Sequence, residues 1–326
     1  MLTCHLVVIS QSTPEHQGVL LYRQGKYSES IRVLETATKA KAQKKDARLW
    51  NFLGLSYLEN GAPKRSRSAL QKAVKLAPQN AEYRTNLAYA YLFNRQQTQA
   101  MSALNKAISI DPASLNAYNL RGKIFLWRND LKRAESDADN MIARDPGYYY
   151  GYILKSEVGL AQIGDKVNKG STLKDQTGTF ITILEHLRKG FSHCRTQECK
   201  DSLDEEISNI EAFRFHFEDD RTPEQRIVER EARLQDPLYK PLKIVSKAAP
   251  GYTDAARAAG AQGKVVVAIL FGKNGKIENL IFIKRLGHGL DEMVLAAVRQ
   301  ITFEPASYNG EAKSVVRLVE YNFSIY

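Results

Sequence analysis

The sequence predicts a multidomain chain: an all-α superhelix of stacked helix pairs, then a small α+β domain with β-β-α-β order and a three-stranded antiparallel sheet. Three observations carry this. Pro78, Pro112 and Pro146 recur with a 34-residue period in the first half. After Asp236 the apolar pattern changes from the helical period to the twofold period of strands. There "GKVVVAILF" (Gly263–Phe271) and "NLIFIK" (Asn279–Lys284) flank "GKNGK", where Asn274-Gly275 is the two-residue signal for a tight hairpin.

The N-terminus, "MLTCHLVVISQSTPE", holds a short apolar run, Leu6–Ile9, then the small Ser10, then polar sequence. This is the form of a secretory signal that lacks its basic start and most of its apolar core. Residues 1–13 are assigned to such a remnant, with the true start upstream; a frayed cytosolic N-terminus is the alternative.

Residues 14–148 hold the repeats. Gly54, Ala88 and Gly122 share the 34-residue spacing, as do Ser66, Ala100 and Ala134. Segment Trp50–Tyr57, "WNFLGLSY", satisfies W-x2-L-G-x2-Y, and an earlier copy fits with Gly18, Ser30 and Ala37 if its connection is two residues longer. Small residues let paired helices cross closely, large apolar ones fill between them, and proline follows the second helix, which it cannot continue. The pattern resembles the tetratricopeptide repeat (TPR) family, with four units across about Pro14–Gly147. The resemblance implies a superhelix whose concave wall is made by the first helix of each pair and grips extended peptides or partner helices. Tyr22, Arg23, Asn51, Glu59, Tyr89, Phe93, Asn119, Lys123 and Trp127 are its expected inward positions. For Tyr89, Phe93 and Trp127, packing between repeats is the competing role. The Lys/Asn/Arg pattern with which some relatives clamp a terminal carboxylate is not evident, so binding of chaperone tails is not expected.

Residues 149–235 read as a helical extension and charged linker. "YYYGYILKSEVGLAQIG" makes a further helix that caps the last repeat, and "GDKVNKGSTLKDQTG" is a loop. Phe180, Ile183, Leu184 and Leu187 mark a helix ending near Gly190; Leu203, Ile207, Ile210 and Phe217 mark another. Cys194 and Cys199 sit in the turn between them. A disulfide there contributes about 2 kcal/mol by loop entropy in an oxidising compartment. Free thiols remain open, and zinc with His193 has poor ligand arithmetic.

Residues 236–326 form the last domain. A short helix, Thr253–Ala259, precedes the hairpin; Asp291 is placed to cap a helix with Val294, Leu295, Val298 and Ile301 on its apolar face; "FEPASYNGEAK" turns the chain into the final strand, "SVVRLVEYNFSIY". "PGYTDAARAAGAQGKVVVAILFGKNGKI", "GLDEMVLAAVRQITFEPASYNG" and "VEYNFSIY" together resemble the TonB C-terminal domain family over about Pro250–Tyr326. Thr253 stands where that family usually has proline. The resemblance implies that the last strand is a sheet edge, to which a short segment of an outer-membrane TonB-dependent receptor or transporter adds as a further strand. Val315, Arg317, Val319, Tyr321 and Phe323 are the expected edge residues.

The chain has 326 residues and a net charge of +11, dispersed over runs such as Lys39–Lys45 and Lys64–Arg67 on expected helix surfaces, while Glu198–Asp236 is acidic. A nucleic-acid partner is therefore not expected. No apolar run reaches the roughly 18 residues of a membrane span. No nucleophile elbow, phosphate loop, metal-ligand cluster or acid pair is present; His5, His16, His186, His193, His216 and His288 are scattered, and no cofactor or catalysis is expected. The sequence thus points to a periplasmic, non-enzymatic adaptor that touches membranes only through its partners. The alternatives are an assembly protein that homodimerises through its last domain, or a TonB-type energy transducer if an upstream anchor precedes this chain.

Overall fold

The computed structural model describes residues 14–40, 44–172, 174–218 and 223–324. The leader remnant assigned to 1–13 lies outside them. The chain divides into two compact units, residues 1–124 and 125–326.

The first unit contains α1 (Pro14–Arg23), α2 (Tyr27–Lys39), α3 (Ala47–Glu59), α4 (Pro63–Leu76), α5 (Ala81–Phe93), α6 (Gln97–Ile110) and most of α7 (Leu115–Trp127). The helices start where local chemistry allows. Asp46 accepts the Arg48 amide at 2.8 Å and Asn80 the Tyr83 amide at 2.9 Å, while Pro63 fills the first helical position of α4, where no donor is needed. Gly54 lies so close to α4 that a Cβ would meet Leu70 Cγ at 2.5 Å. Ala88 and Ala100 are fully buried among Leu104, Ala107 and Ile124, so the small residues of the 34-residue period do mark helix crossings. Of the basic run Lys39–Lys45, Lys39 ends α2 while Lys44 and Lys45 lie in a turn rather than on a helix; 41–43 lie outside the described residues.

The second unit begins with the end of α7 and α8 (Leu131–Arg144), then α9 (Tyr150–Asn168), α10 (Thr177–Ser192), α11 (Gln197–Phe217) and α12 (Pro223–Gln235). It continues with β1 (Tyr239–Lys240), β2 (Lys243–Ser246), α13 (Asp254–Ala258), β3 (Gly263–Phe271), β4 (Ile277–Lys284), α14 (Leu290–Val298), β5 (Thr302–Glu304), β6 (Ala306–Tyr308), β7 (Glu311–Lys313) and β8 (Val315–Phe323). The main sheet is antiparallel with order β4-β3-β8. The segment expected only to turn the chain carries strands: β6 pairs with β1 and β7, and β5 with β2.

Both faces of the main sheet are covered. Val265, Val267, Ile269, Phe271, Val319, Tyr321 and Phe323 pack with Leu290, Val294 and Val298 of α14. Alternate residues Ala268, Leu270, Ile281 and Val316 pack with Leu160, Ile163, Phe180, Leu187, Leu203 and Phe213 of α9, α10 and α11. Residues 149–217 of the extension expected at 149–235 are thus continuous in their core with the sheet of 236–326. Glu206 of α11 is buried inside this contact, where Ser156 donates to it at 2.7 Å and Asn279 of β4 at 2.9 Å. Buried carboxylates are tolerated only when bonded in this way.

Four local readings are corrected or refined. α9 runs on to Asn168, through Gly164 and the first residues of the loop expected over 164–178. Gly190 lies in the last turn of α10, which ends at Ser192, close to the expected end; a Cβ there would strike the Tyr152 ring at 2.6 Å, so close packing and not termination alone accounts for the glycine. The β3–β4 connection is five residues, Gly272–Lys276; only Gly275 takes a positive φ (79°), and Asn274 accepts the Lys276 amide with its side chain. Asp291 does not cap α14, which starts at Leu290 after Gly289; its carboxylate accepts the amides of Leu286 and Gly287 instead.

Candidate functional site

The three-stranded sheet has two edges, and the chain treats them differently. Along β4, the C-terminal part of α9 lies against the backbone. A Cβ on Gly164 would sit 2.8 Å from the Phe282 carbonyl. Asn168 then bonds the edge in both directions, donating to that carbonyl at 3.3 Å and accepting the Arg285 amide at 2.9 Å.

β8 pairs with β3 over its whole length, from Phe271↔Val315 to Gly263↔Phe323, and with no other strand among the described residues. Among the described residues its other side meets one donor from elsewhere in the fold: Lys247 Nζ, 2.8 Å from the Glu320 carbonyl. Backbone groups alternate along an antiparallel strand, so Val316, Leu318, Glu320 and Asn322 turn theirs outward together.

Of the expected edge residues, Arg317 is exposed and Val315 half-buried; Val319, Tyr321 and Phe323 point into the core beneath α14, where they cannot select a partner by side-chain contact. The side chains open to solvent along β8 are Arg317, Leu318 (54% exposed), Glu320 and Asn322. Period-two reading held the signal: the odd positions, Val-Arg-Val-Tyr-Phe, are the more apolar set and belong inside. Lys264 donates to the Glu320 carboxylate at 2.8 Å, which, with Lys247 and Lys284 near, holds that carboxyl below its usual range. Burial pushes the pKa of the Tyr321 hydroxyl up, and that hydroxyl has no hydrogen-bond partner among the described residues.

The nine inward positions of the repeats also separate. Asn51 is buried (1% exposed) and accepts from Asn86 Nδ2 at 3.0 Å, joining one repeat to the next. Tyr22 is half-buried, its ring 5.4 Å from Phe52 in edge-to-face contact; burial, then Glu59, raises its pKa. Arg23 and Glu59 are exposed, Asn119 and Lys123 half-buried. Tyr89 and Phe93 are 45% and 57% exposed with rings 5.4 Å apart, so the structure leaves them on the surface rather than between repeats. Trp127, in the second unit, is likewise exposed at 42%. Phe52 and Asn86 were not singled out in the sequence; each sits one position from the pattern that was.

In the turn between α10 and α11, Cys194 and Cys199 form a disulfide with Cα atoms 5.5 Å apart, inside the usual range. This turn and the start of α11 bond to the α8–α9 connection: Arg195 to Asp145 at 3.4 Å, and Tyr149 to Glu198 at 3.0 Å. Thr253, where the resemblance expects proline, caps α13 through the Ala256 amide and donates to the His288 carbonyl at 2.6 Å. The loop is held by a side chain instead of a ring.

Two tetratricopeptide repeat profiles match residues 17–81 and 57–124. The profile of the Gram-negative bacterial TonB protein C-terminal matches residues 248–325, the hairpin, α14 and the open strand just described. The chain carries tetratricopeptide repeats within residues 17–124 and a TonB C-terminal domain over 248–325. Similar solved structures include MamA (19% identity, 59% of this chain and 96% of that one, TM-score 0.43). A thermophilic TPR protein in Thermus thermophilus matches at 18% identity over 60% of this chain and 96% of that one, TM-score 0.43. YrrB, described as a TPR protein with an unusual peptide-binding site, matches at 14% identity over 59% and 90%, TM-score 0.40. No curated protein matches the chain. TPR repeats and TonB C-terminal domains are non-catalytic modules that bind proteins. Among the described residues, no helix is long and apolar enough to cross a membrane.

Proposed function

We propose that this is a two-headed adaptor of the Gram-negative periplasm: the TPR face holds one protein, and the TonB C-terminal domain adds a strand of an outer-membrane TonB-dependent transporter, or a protein like it, along β8. The observation that carries this is the asymmetry of the sheet, with β4 covered by α9 and β8 left with its outward backbone groups facing solvent save for one lysine. The disulfide suits an oxidising compartment, which supports the periplasm.

Strand addition places hydrogen bonds along the backbone and leaves selection to side chains. About five such bonds at roughly 1 kcal/mol each fall short of the roughly 8 kcal/mol of micromolar binding, before the cost of association. Arg317 and Leu318, both exposed, supply the side-chain contacts.

Leu318→Pro tests the reading. The Leu318 amide faces outward, so proline removes a donor from the free side and leaves the ladder to β3. From outer-membrane extract, the full chain is expected to capture transporters and the variant about tenfold less, a difference of roughly 1.4 kcal/mol, with a thermal midpoint close to the parent's. Equal recovery by the two proteins would remove β8 as the binding edge.

A further inference from the structure

The cations around β8 are not equally engaged. Lys264 is committed to the Glu320 carboxylate at 2.8 Å and Lys243 to Glu304 at 2.9 Å. Lys247 has instead a neutral carbonyl, that of Glu320 at 2.8 Å, and the Tyr321 ring, whose centroid is 4.4 Å away. Among the described residues, neither Lys247 nor Arg317 has a carboxylate within ion-pair distance. Both contacts of Lys247 are favourable, but neither is an ion pair, and the nearby Glu320 carboxylate is bonded to Lys264 instead.

An added strand needs the Glu320 carbonyl for its own ladder, so Lys247 must give that position up. Arg317 and Tyr321 lie on the same face of the sheet as α14, four residues apart. By the strand rise that is about 13 Å, and residues four apart on the incoming strand share that face in the same way. Resting on the strand-addition reading of β8, we propose that this edge selects an extended segment of another protein with acidic side chains at positions i and i+4 of one face. One lies beside Arg317; the other takes Lys247 from the Glu320 carbonyl. A second copy of β8 does not fit, because the face carrying Val315, Arg317, Val319, Tyr321 and Phe323 offers no acid to either cation.

The probes are ten-residue alternating Thr/Val peptides carrying Glu, Gln or Lys at two threonine sites four apart, bound to the full chain at 0.15 M salt and followed by fluorescence anisotropy. The Glu peptide is expected to bind about tenfold more tightly than the Gln peptide, with the Lys peptide weakest. Lys247→Met is expected to cut the Glu/Gln ratio to about threefold while leaving Gln-peptide binding equal or stronger, since the carbonyl is then free. The Glu peptide N-methylated on alternate amides keeps its charges and loses its ladder; it is expected not to bind.

A Glu/Gln ratio unchanged by Lys247→Met overturns the inference and leaves strand addition standing. So does equal weakening of all peptides in that variant. Binding of the N-methylated peptide as tightly as its parent would show general attraction to a basic protein, and also overturns it. If none of the three unmethylated peptides binds the parent chain, strand addition at β8 itself fails, and this inference with it.

Discussion

The edges of β4 and β8 belong to one sheet and share β3 as neighbour, yet one is sealed and the other latched. Sealing β4 requires a helix backbone to come within touching distance of a strand backbone, which only glycine at position 164 permits, and a side chain that both donates and accepts, which Asn168 provides. β8 has a long flexible cation at one carbonyl. An open edge is a hazard for aggregation, and charged side chains are a common guard. A lysine guard has the further property of being displaceable at small cost, whereas a docked helix is not.

Three changes break or sharpen this contrast. The largest effect is expected from Gly164→Ala. Helix propensity alone favours alanine by up to about 1 kcal/mol, but the new Cβ meets a backbone carbonyl that cannot turn aside, so α9 must shift. A net loss of roughly 1–3 kcal/mol in chemical denaturation is expected, with concentration-dependent association in light scattering as the second edge opens. A gain in stability would show that α9 does not seal β4.

A smaller loss follows from Asn168→Ala. Two edge groups lose their protein partner, and both face a boundary where water can reach, so about 1 kcal/mol is expected. Hydrogen exchange should quicken at the Arg285 amide, which is bonded to Asn168, and stay unchanged along β3. Unchanged exchange at Arg285 would separate the helix from the edge.

The smallest effect lies on β8. Glu320 is held below the usual carboxylate range chiefly by the Lys264 hydrogen bond. A carboxyl lowered on folding stabilises the fold above its unfolded pKa, and that contribution fades as pH falls through the folded value. Carboxyl-detected NMR should therefore show Glu320 titrating below an ordinary glutamate, and Lys264→Met should move it upward. No movement would mean that the pair is not formed in solution.

Much of the fold was legible in the sequence because its signals are local. The 34-residue period reflects helix crossings that each repeat must build again, and the strands of the TonB C-terminal domain declare themselves by alternation. The misreadings share another cause. Gly164 looked like a helix end because glycine is a breaker taken alone; it is helix interior where a carbonyl presses close, and Gly190, near the end of α10 as expected, is also where a ring does. Asp291 looked like a cap because caps are acids before apolar runs, but its loop partners are Leu286 and Gly287. The candidate site was half legible. That the last strand is an edge followed from the family resemblance; which of its side chains face outward required only the twofold period. Lys247 was out of reach, because its place depends on how β2 pairs with β5, more than fifty residues away in sequence.

The core shared by α9, α10, α11 and the sheet bears on how the molecule can be dissected. A fragment opening at β1 would carry Leu270, Ile281 and Val316 bare on one side, and Asn279 without the Glu206 carboxylate it answers. The TonB C-terminal profile begins its match at residue 248. The compact unit that holds this interior starts well over a hundred residues earlier, at residue 125, and α9, packed between α8 and the sheet, forms one wall of it.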